Sequence, residues 1–336
     1  MVWLKFLLCL VIILFAGTKL ARYGDAIAKK TGLGGIWIGL MLLAAITSMP
    51  ELVTGVSSVA LVGLPNLAMG TLLGSCLFNL TILALLDILH PRTPVLSEAR
   101  LQHIVLAGVG ILLIAVAAVS IFAGERLSGL RLGWVGVPSI IILILYLVAV
   151  WRMLRFERKQ AAQRLEATPS QYEGMPVKTM WFKFALAAIA VIGTGIWISF
   201  IGDEIAGTYG WSASFVGSLF LAISTSMPEL VVTVTALRLG AIDMAVADIL
   251  GANMLDMAHL FIVDLFFSQG LILSSVSSTH LTTAVVAVVM SLLVIVGLRF
   301  RQKRKTFTVI SWYGPLLIGL YIFGVYRLFI SGIGLG

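Results

Sequence analysis

The segment Ile46-Thr47-Ser48-Met49-Pro50-Glu51-Leu52-Val53 lies in the middle of a long apolar run, and the chain uses it twice. Ser224-Thr225-Ser226-Met227-Pro228-Glu229-Leu230-Val231 repeats Thr-Ser-Met-Pro-Glu-Leu, with Thr225 lying 178 positions after Thr47. A carboxylate in an apolar span costs roughly 3 kcal/mol or more on insertion scales, so such a residue marks a functional site by default. The proline before it removes a backbone donor and breaks or kinks a helix. In a bilayer, such a break is tolerated only where protein or a water-filled cavity satisfies the freed carbonyls. Two broken helices at matching positions of two halves point to a transport site near the membrane midplane.

Composition supports the membrane. Of 336 residues 60% are hydrophobic and 11% charged, and the mean hydropathy is +1.08. Repeated apolar runs of about 20 residues are what spanning helices require. The net charge of +8 comes from basic residues grouped in short segments between apolar runs, as topology signals are, with no basic groove or motif for nucleic acid. Cys9 and Cys76 fall inside apolar runs and suggest neither a disulfide framework nor a zinc cluster. The first run, Trp3 to Leu20, lacks the basic start and the cleavage site of a signal peptide and is read as a spanning helix.

Ten apolar segments can be marked, at about 3–22, 34–62, 65–89, 101–123, 132–152, 180–200, 212–237, 241–267, 279–298 and 307–330. The polar connection from Arg152 to Lys178 divides them into a first repeat at 1–152 and a second at 180–336, with 153–179 as linker. Trp3, Lys5, Phe6, Gly17, Gly24 and Asp25 recur as Trp181, Lys183, Phe184, Gly195, Gly202 and Asp203. After the motif the offset shortens by one, and Gly63, Ala68, Leu73, Gly74, Asp87 and His103 recur as Gly240, Ala245, Leu250, Gly251, Asp264 and His280. This is an internal duplication. Five spans per copy is an odd number, so the second copy must lie inverted. All but four of the 23 Lys and Arg residues fall on the side reached after spans 1, 3, 5, 7 and 9; the four are Lys5, Arg126, Arg131 and Arg327. The positive-inside rule makes the rich side cytoplasmic and puts both termini outside, in a plasma or inner membrane. The predicted fold is an all-α integral membrane protein of ten transmembrane helices in two inverted five-helix repeats.

Hard cations bind oxygen. The motifs offer it in symmetric pairs: Thr47 with Thr225, Ser48 with Ser226, Glu51 with Glu229. Positions three and four apart share a helix face, which places Thr47 and Ser48 one turn from Glu51. Ala44 and Ala222 lie a further turn back, and their carbonyls are candidates for release by the proline. The following spans add Gly74-Ser75-Cys76-Leu77-Phe78-Asn79 and Gly251-Ala252-Asn253-Met254-Leu255-Asp256. Ser75 and Asn79 share a face, as do Ala252 and Asp256, and Asp248 lies one turn before Ala252. Glycines at 70, 74 and 251 allow close helix approach. Three carboxylates in low dielectric cannot stay charged together unless cations or protons accompany them. The empty site is then too charged to change sides easily, and one cation load must replace another.

Thr-Ser-x-Pro-Glu-Leu followed by Gly-Ser-x-x-x-Asn, given twice in inverted halves, resembles the alpha repeats of the sodium/calcium exchanger branch of the calcium/cation antiporter superfamily. The resemblance covers both repeats and the ten-helix plan. It implies one site alternately open to either side, taking calcium or several sodium ions. It implies Glu51, Glu229, Thr47 and Thr225 as calcium ligands. Sodium sites would add Ser48, Ser226, the carbonyls of Ala44 and Ala222, and Ser75, Asn79 and Asp256. The first two helices of each half would slide as gates. The chain departs from the family at Cys76, where an amide is usual, at Ala252, where a serine hydroxyl is usual, and at Asp248, where a neutral residue is commoner.

Calcium or a similar divalent exchanged for sodium is the leading function. Proton-coupled exchange is the alternative, since a buried carboxylate can hold a proton near neutral pH; a passive cation channel is a third. An intramembrane hydrolase lacks its motifs, no nucleotide-binding loop supports a pump, and no cofactor is implied. The implied partners are the transported ions and the lipid bilayer, and no pattern fixes an oligomeric state. Blander roles are back-bonding to the helix for the Thr and Ser hydroxyls, capping or solvent contact for Asp87 and Asp264, and an interfacial place for His103 and His280.

Overall fold

The computed structural model describes residues 1–30, 44–90, 93–127, 129–161, 176–238, 240 and 242–332. The first half holds α1 (Val2–Lys30), α2 (Ala44–Thr47), α3 (Met49–Ala60), α4 (Pro65–Leu89), α5 (Val95–Glu98), α6 (His103–Ala123) and α7 (Val137–Ala161). The second half holds α8 (Val177–Tyr209), α9 (Ala213–Val216), α10 (Ala222–Thr225), α11 (Met227–Arg238), α12 (Ile242–Phe266), α13 (Ile272–Ser275), α14 (His280–Arg299) and α15 (Tyr313–Gly332). The helical expectation holds but for one small ribbon. Strands β1 (Arg131–Leu132) and β2 (Val135–Gly136) pair antiparallel around Gly133, whose φ of +65° suits a residue without a Cβ.

Seven described helices are long and apolar enough to cross a bilayer: α1, α4, α6, α8, α12, α14 and α15. Ala213–Thr225 and Met227–Arg238 make an eighth if taken as one span, bent by 44°. Two of the ten expected segments fall short of that measure. Residues 34–43 of the second lie outside the described residues, and the apolar part of α7 runs only Val137–Met153.

The centre is built from α4 and α12, whose Leu72, Leu73, Leu77, Leu80, Val246, Ile249 and Leu260 are buried among residues of α6 and α14. α1 and α8 pack along each other outside this core. Each is seated on the broken helix of the other repeat through a glycine. A Cβ on Gly17 would come within 2.4 Å of Pro228 Cγ, and one on Gly195 within 2.8 Å of Val53 Cγ1. Gly74 likewise brings α4 against the start of the bent helix, where a Cβ would meet Ser218 Cα at 2.5 Å. Ser218 Oγ donates to Gly70 O at 3.1 Å in the same contact.

Two carboxylates hold the outer elements to this centre, and the repeat explains both. Asp87 accepts from Val95 N at 3.0 Å, from Ser311 N at 2.6 Å, from Ser311 Oγ at 3.0 Å and from the Tyr313 hydroxyl. Asp264 accepts from Ile272 N at 2.9 Å, Gly136 N at 2.8 Å and Ser139 Oγ at 2.7 Å. Each ties the end of its own helix to the short helix that follows (α5 or α13) and to the start of the last helix of a repeat (α15 or α7). Both are fully buried. They cap, as one reading of the sequence allowed, but they do so inside the protein and not in solvent.

A second matched pair differs in chemistry. At the start of α12, Asp243 accepts from Arg100 N at 2.7 Å and from His103 Nε2 at 3.0 Å, and pairs with Arg100 Nε at 3.0 Å. In the matching place, Asn66 at the start of α4 accepts from Ser277 N at 2.7 Å, and His280 Nε2 bonds Ser214 Oγ at 3.1 Å. His103 and His280 are therefore buried clamps, 2% and 0% exposed, and not side chains at an open interface.

Candidate cation site at the crossing of the repeats

Each motif breaks its helix at the serine. Ser48 has φ −84° and ψ 10°, and Ser226 has φ −87° and ψ 11°, both between the helical and extended regions. The helix restarts at once, with the proline in its first turn. Glu51 and Glu229 therefore sit in the first turn of α3 and α11, where free amide hydrogens and the positive end of the helix dipole favour a negative charge.

The break also corrects a register. Ala44 O accepts from Ser48 N at 2.9 Å and Thr47 Oγ1 at 3.2 Å; Ala222 O accepts from Ser226 N at 3.0 Å and Thr225 Oγ1 at 3.3 Å. These carbonyls are not released by the prolines. The amide missing at a proline is the one that would reach four residues back, so the carbonyls that lose a donor are those of Ile46 and Ser224.

The two halves meet crosswise. Ser48 Oγ donates to Glu229 Oε1 at 3.0 Å, and Ser226 Oγ donates to Glu51 Oε1 at 2.7 Å. Thr47 also reaches Glu229 through its hydroxyl, while Thr225 turns back to its own helix, to Leu221 O at 3.0 Å. Back-bonding thus accounts for the contacts of Thr225 and part of those of Thr47, and not for the serines. Glu51 is 1% and Glu229 0% exposed, and the second oxygen of each is buried with no hydrogen-bond partner.

Helices α4 and α12 supply the rest. Ser75 Oγ and Asn79 Oδ1 from α4, and both carboxyl oxygens of Asp248 and Asp256 from α12, are buried without partners. Glu229 lies within coulombic range of Glu51, Asp248 and Asp256. Cys76 and Asn253, matched by the repeat, bond each other: Asn253 Nδ2 donates to Cys76 O at 3.3 Å, and Cys76 Sγ lies 3.8 Å from Asn253 O. Ala252 offers no hydroxyl where Ser75 has one. Among the described residues no three His, Cys, Asp or Glu side chains converge on a single point. A single ion here would need hydroxyls, carbonyls or amide oxygens beside the carboxylates. His259, three residues after Asp256 and buried, was not singled out by the motif; the shared helix face was the signal for it.

A model of the family described as sodium/calcium exchanger protein matches residues 1–155 and 179–330. The chain belongs to the sodium/calcium exchanger protein family. The two matched stretches flank the connection that divides the repeats, so the exchanger carries the family over both halves. It is 27% identical over 249 residues to the inner membrane protein YrbG of Escherichia coli (strain K12), covering 73% of each chain. It is 24% identical over 323 residues to the membrane protein MJ0091 of Methanocaldococcus jannaschii, covering 95% of each. A stretch of 148 residues is 31% identical to the sodium/potassium/calcium exchanger 2 of Gallus gallus, 40% of this exchanger and 22% of that one. Among solved structures, native YfkE superposes with a TM-score of 0.69 at 22% identity over 97% of this chain and 92% of that chain. The sodium-calcium exchanger NCX_Mj, soaked with sodium and calcium, gives 0.62 at 21% identity over 96% of each. Membership makes the protein a membrane transporter of the cation-exchange kind.

Proposed function

We propose that the protein is a secondary active antiporter that exchanges calcium, or a similar divalent cation, for sodium by alternating access. The observation that carries this reading is the crosswise pairing. Each buried glutamate spends one oxygen on the serine of the opposite repeat and keeps the other unbonded. Two buried carboxylates facing each other across a repeat boundary demand compensating positive charge. Around them stand oxygens of the kinds that hard cations take.

Glu51 and Glu229 are the central ligands, with Thr47, Thr225, Ser48 and Ser226 beside them. Ser75, Asn79 and Asp256 extend the set toward sodium-sized ions through oxygens that have no other partner. Ala44 and Ala222 would join them through carbonyls that each give up the hydrogen bond of the neighbouring threonine hydroxyl. Alternating access follows from the packing of α1 and α8, which touch the broken helices through glycines and lie outside the main core. The ten-helix plan as inverted repeats, both termini outside and the linker in the cytoplasm complete the reading.

Proton coupling is the second reading, and Asp248 favours it. Both of its oxygens are buried without a donor, and its nearest charge is Glu229. A carboxylate so placed needs a proton or a cation with it.

The test is calcium-45 uptake into sealed vesicles holding the purified protein, driven by an outward sodium gradient or, separately, by a proton gradient. Sodium-driven uptake that Glu51→Gln and Glu229→Gln each abolish is the expected result. Uptake driven by protons alone would replace the leading reading with the second and give Asp248 its role. No gradient-dependent uptake with either driver would overturn calcium antiport.

A further inference from the structure

The face of α12 that carries Asp256 carries a nitrogen donor one turn on. His259 is 4% exposed. Its Nδ1 stands 4.0 Å from Asp256 Oδ1, beyond hydrogen-bond reach. Neither side satisfies the other, and neither is satisfied elsewhere: His259 Nδ1 and both oxygens of Asp256 are buried without a partner. This gap is too wide for a hydrogen bond and wide enough for an ion. Metal bonds of about 2.0–2.2 Å to nitrogen and oxygen separate two ligands by about 3.4 Å at the tetrahedral angle, so a bound ion draws the two side chains together by roughly half an ångström.

We infer that Asp256 and His259 form an oxygen–nitrogen clamp that makes this site accept borderline divalent transition metals, ions of the zinc and cobalt kind, alongside hard cations. The inference rests on the cation-site reading above and narrows its substrate class. An imidazole adds little for calcium or sodium, which take oxygen; it suits zinc, nickel and iron. The remaining coordination falls to neutral oxygens or water, because no third His, Cys, Asp or Glu converges on the same point among the described residues. The other histidines are committed elsewhere: His103 to Asp243, His280 to Ser214, and His90 to Glu98 on the surface.

The probe is zinc bound to the full-length protein in detergent, read by X-ray absorption beside calcium-45 binding. The zinc-loaded protein is expected to show the outer-shell scattering of an imidazole ligand. His259→Gln should lose that signal and lower the zinc-to-calcium affinity ratio about tenfold or more, since even an outer-shell partner changes metal affinity by that much. Calcium binding with no imidazole signal in the unaltered protein overturns the clamp and spares the cation site. An imidazole signal that persists in His259→Gln also overturns it, the zinc then sitting elsewhere. Binding of neither ion overturns the clamp and the site together. Where the variant fails to fold, absence of an imidazole signal from the unaltered protein still overturns the clamp, and His259→Asn serves as the second variant.

Discussion

At the scale of single residues, the informative atoms are those that the site bonds and those that it leaves alone. Ser48→Ala removes the hydroxyl that donates to Glu229 Oε1 and leaves that glutamate the hydroxyl of Thr47. A hydrogen bond to a buried charged group contributes about 1.5–3 kcal/mol. Thermal unfolding of the ion-free variant should show a loss of that order, and saturating calcium should recover part of it by taking the serine's place. Ser226→Ala should do the same at Glu51. The motifs made these residues legible because the chain states them twice. Periodicity placed the serines and glutamates on one face but could not show that each serine serves the other repeat's glutamate, since a sequence gives faces and not partners. The alanine carbonyls were misjudged by register: the missing amide reaches back to Ile46 and Ser224. His259 was passed over because a lone histidine in an apolar run carries no pattern until its nitrogen is seen facing Asp256.

At the scale of elements, the prolines and the paired aspartates do opposite things. Pro50 and Pro228 each withhold a backbone donor at the break, and Pro50→Ala offers Ile46 O an amide again. Restoring one helical hydrogen bond of about 1 kcal/mol should lower calcium affinity by about fivefold while circular dichroism shows no loss of helix. Asp87 and Asp264 fix ends. Asp87→Ala strands two backbone amides and two hydroxyls in the interior. It should destabilise the protein by more than about 3 kcal/mol, with Asp87→Asn losing less because one acceptor oxygen remains; thermal unfolding in detergent separates the two. The offset of the repeat announced that Asp87 and Asp264 match. Their role was hidden because the groups that they hold are far away in the chain, Ser311 and Tyr313 in one case and Gly136 and Ser139 in the other. Helix α7 shows the converse limit: the apolar run at 132–152 reads as a full span, but the residues before Val137 form the β1–β2 ribbon and leave an apolar helix of only Val137–Met153.

At the scale of the whole molecule, the two halves share a plan but not every fitting. Asp243 with Arg100 and His103 clamps one side through charges, and Asn66 with Ser277 clamps the other without them. The Arg100–Asp243 pair is partly exposed, with side chains 43% and 39% accessible, so salt screens it. Raising ionic strength on the face that carries this pair should change the initial rate of calcium-45 transport in one direction by up to about fivefold, for a pair contributing about 1 kcal/mol or less. Asp243→Asn should remove that dependence. Duplication was legible from the sequence as symmetry, but this asymmetry was not, because a neutral asparagine and a charged aspartate fill the same slot. Its consequence concerns time and not equilibrium. No clamp can alter where transport comes to rest, which the electrochemical gradients of the transported ions decide. Unequal clamps can make the journey there faster from one side than from the other, so that a machine copied from a single blueprint acquires a preferred direction of haste.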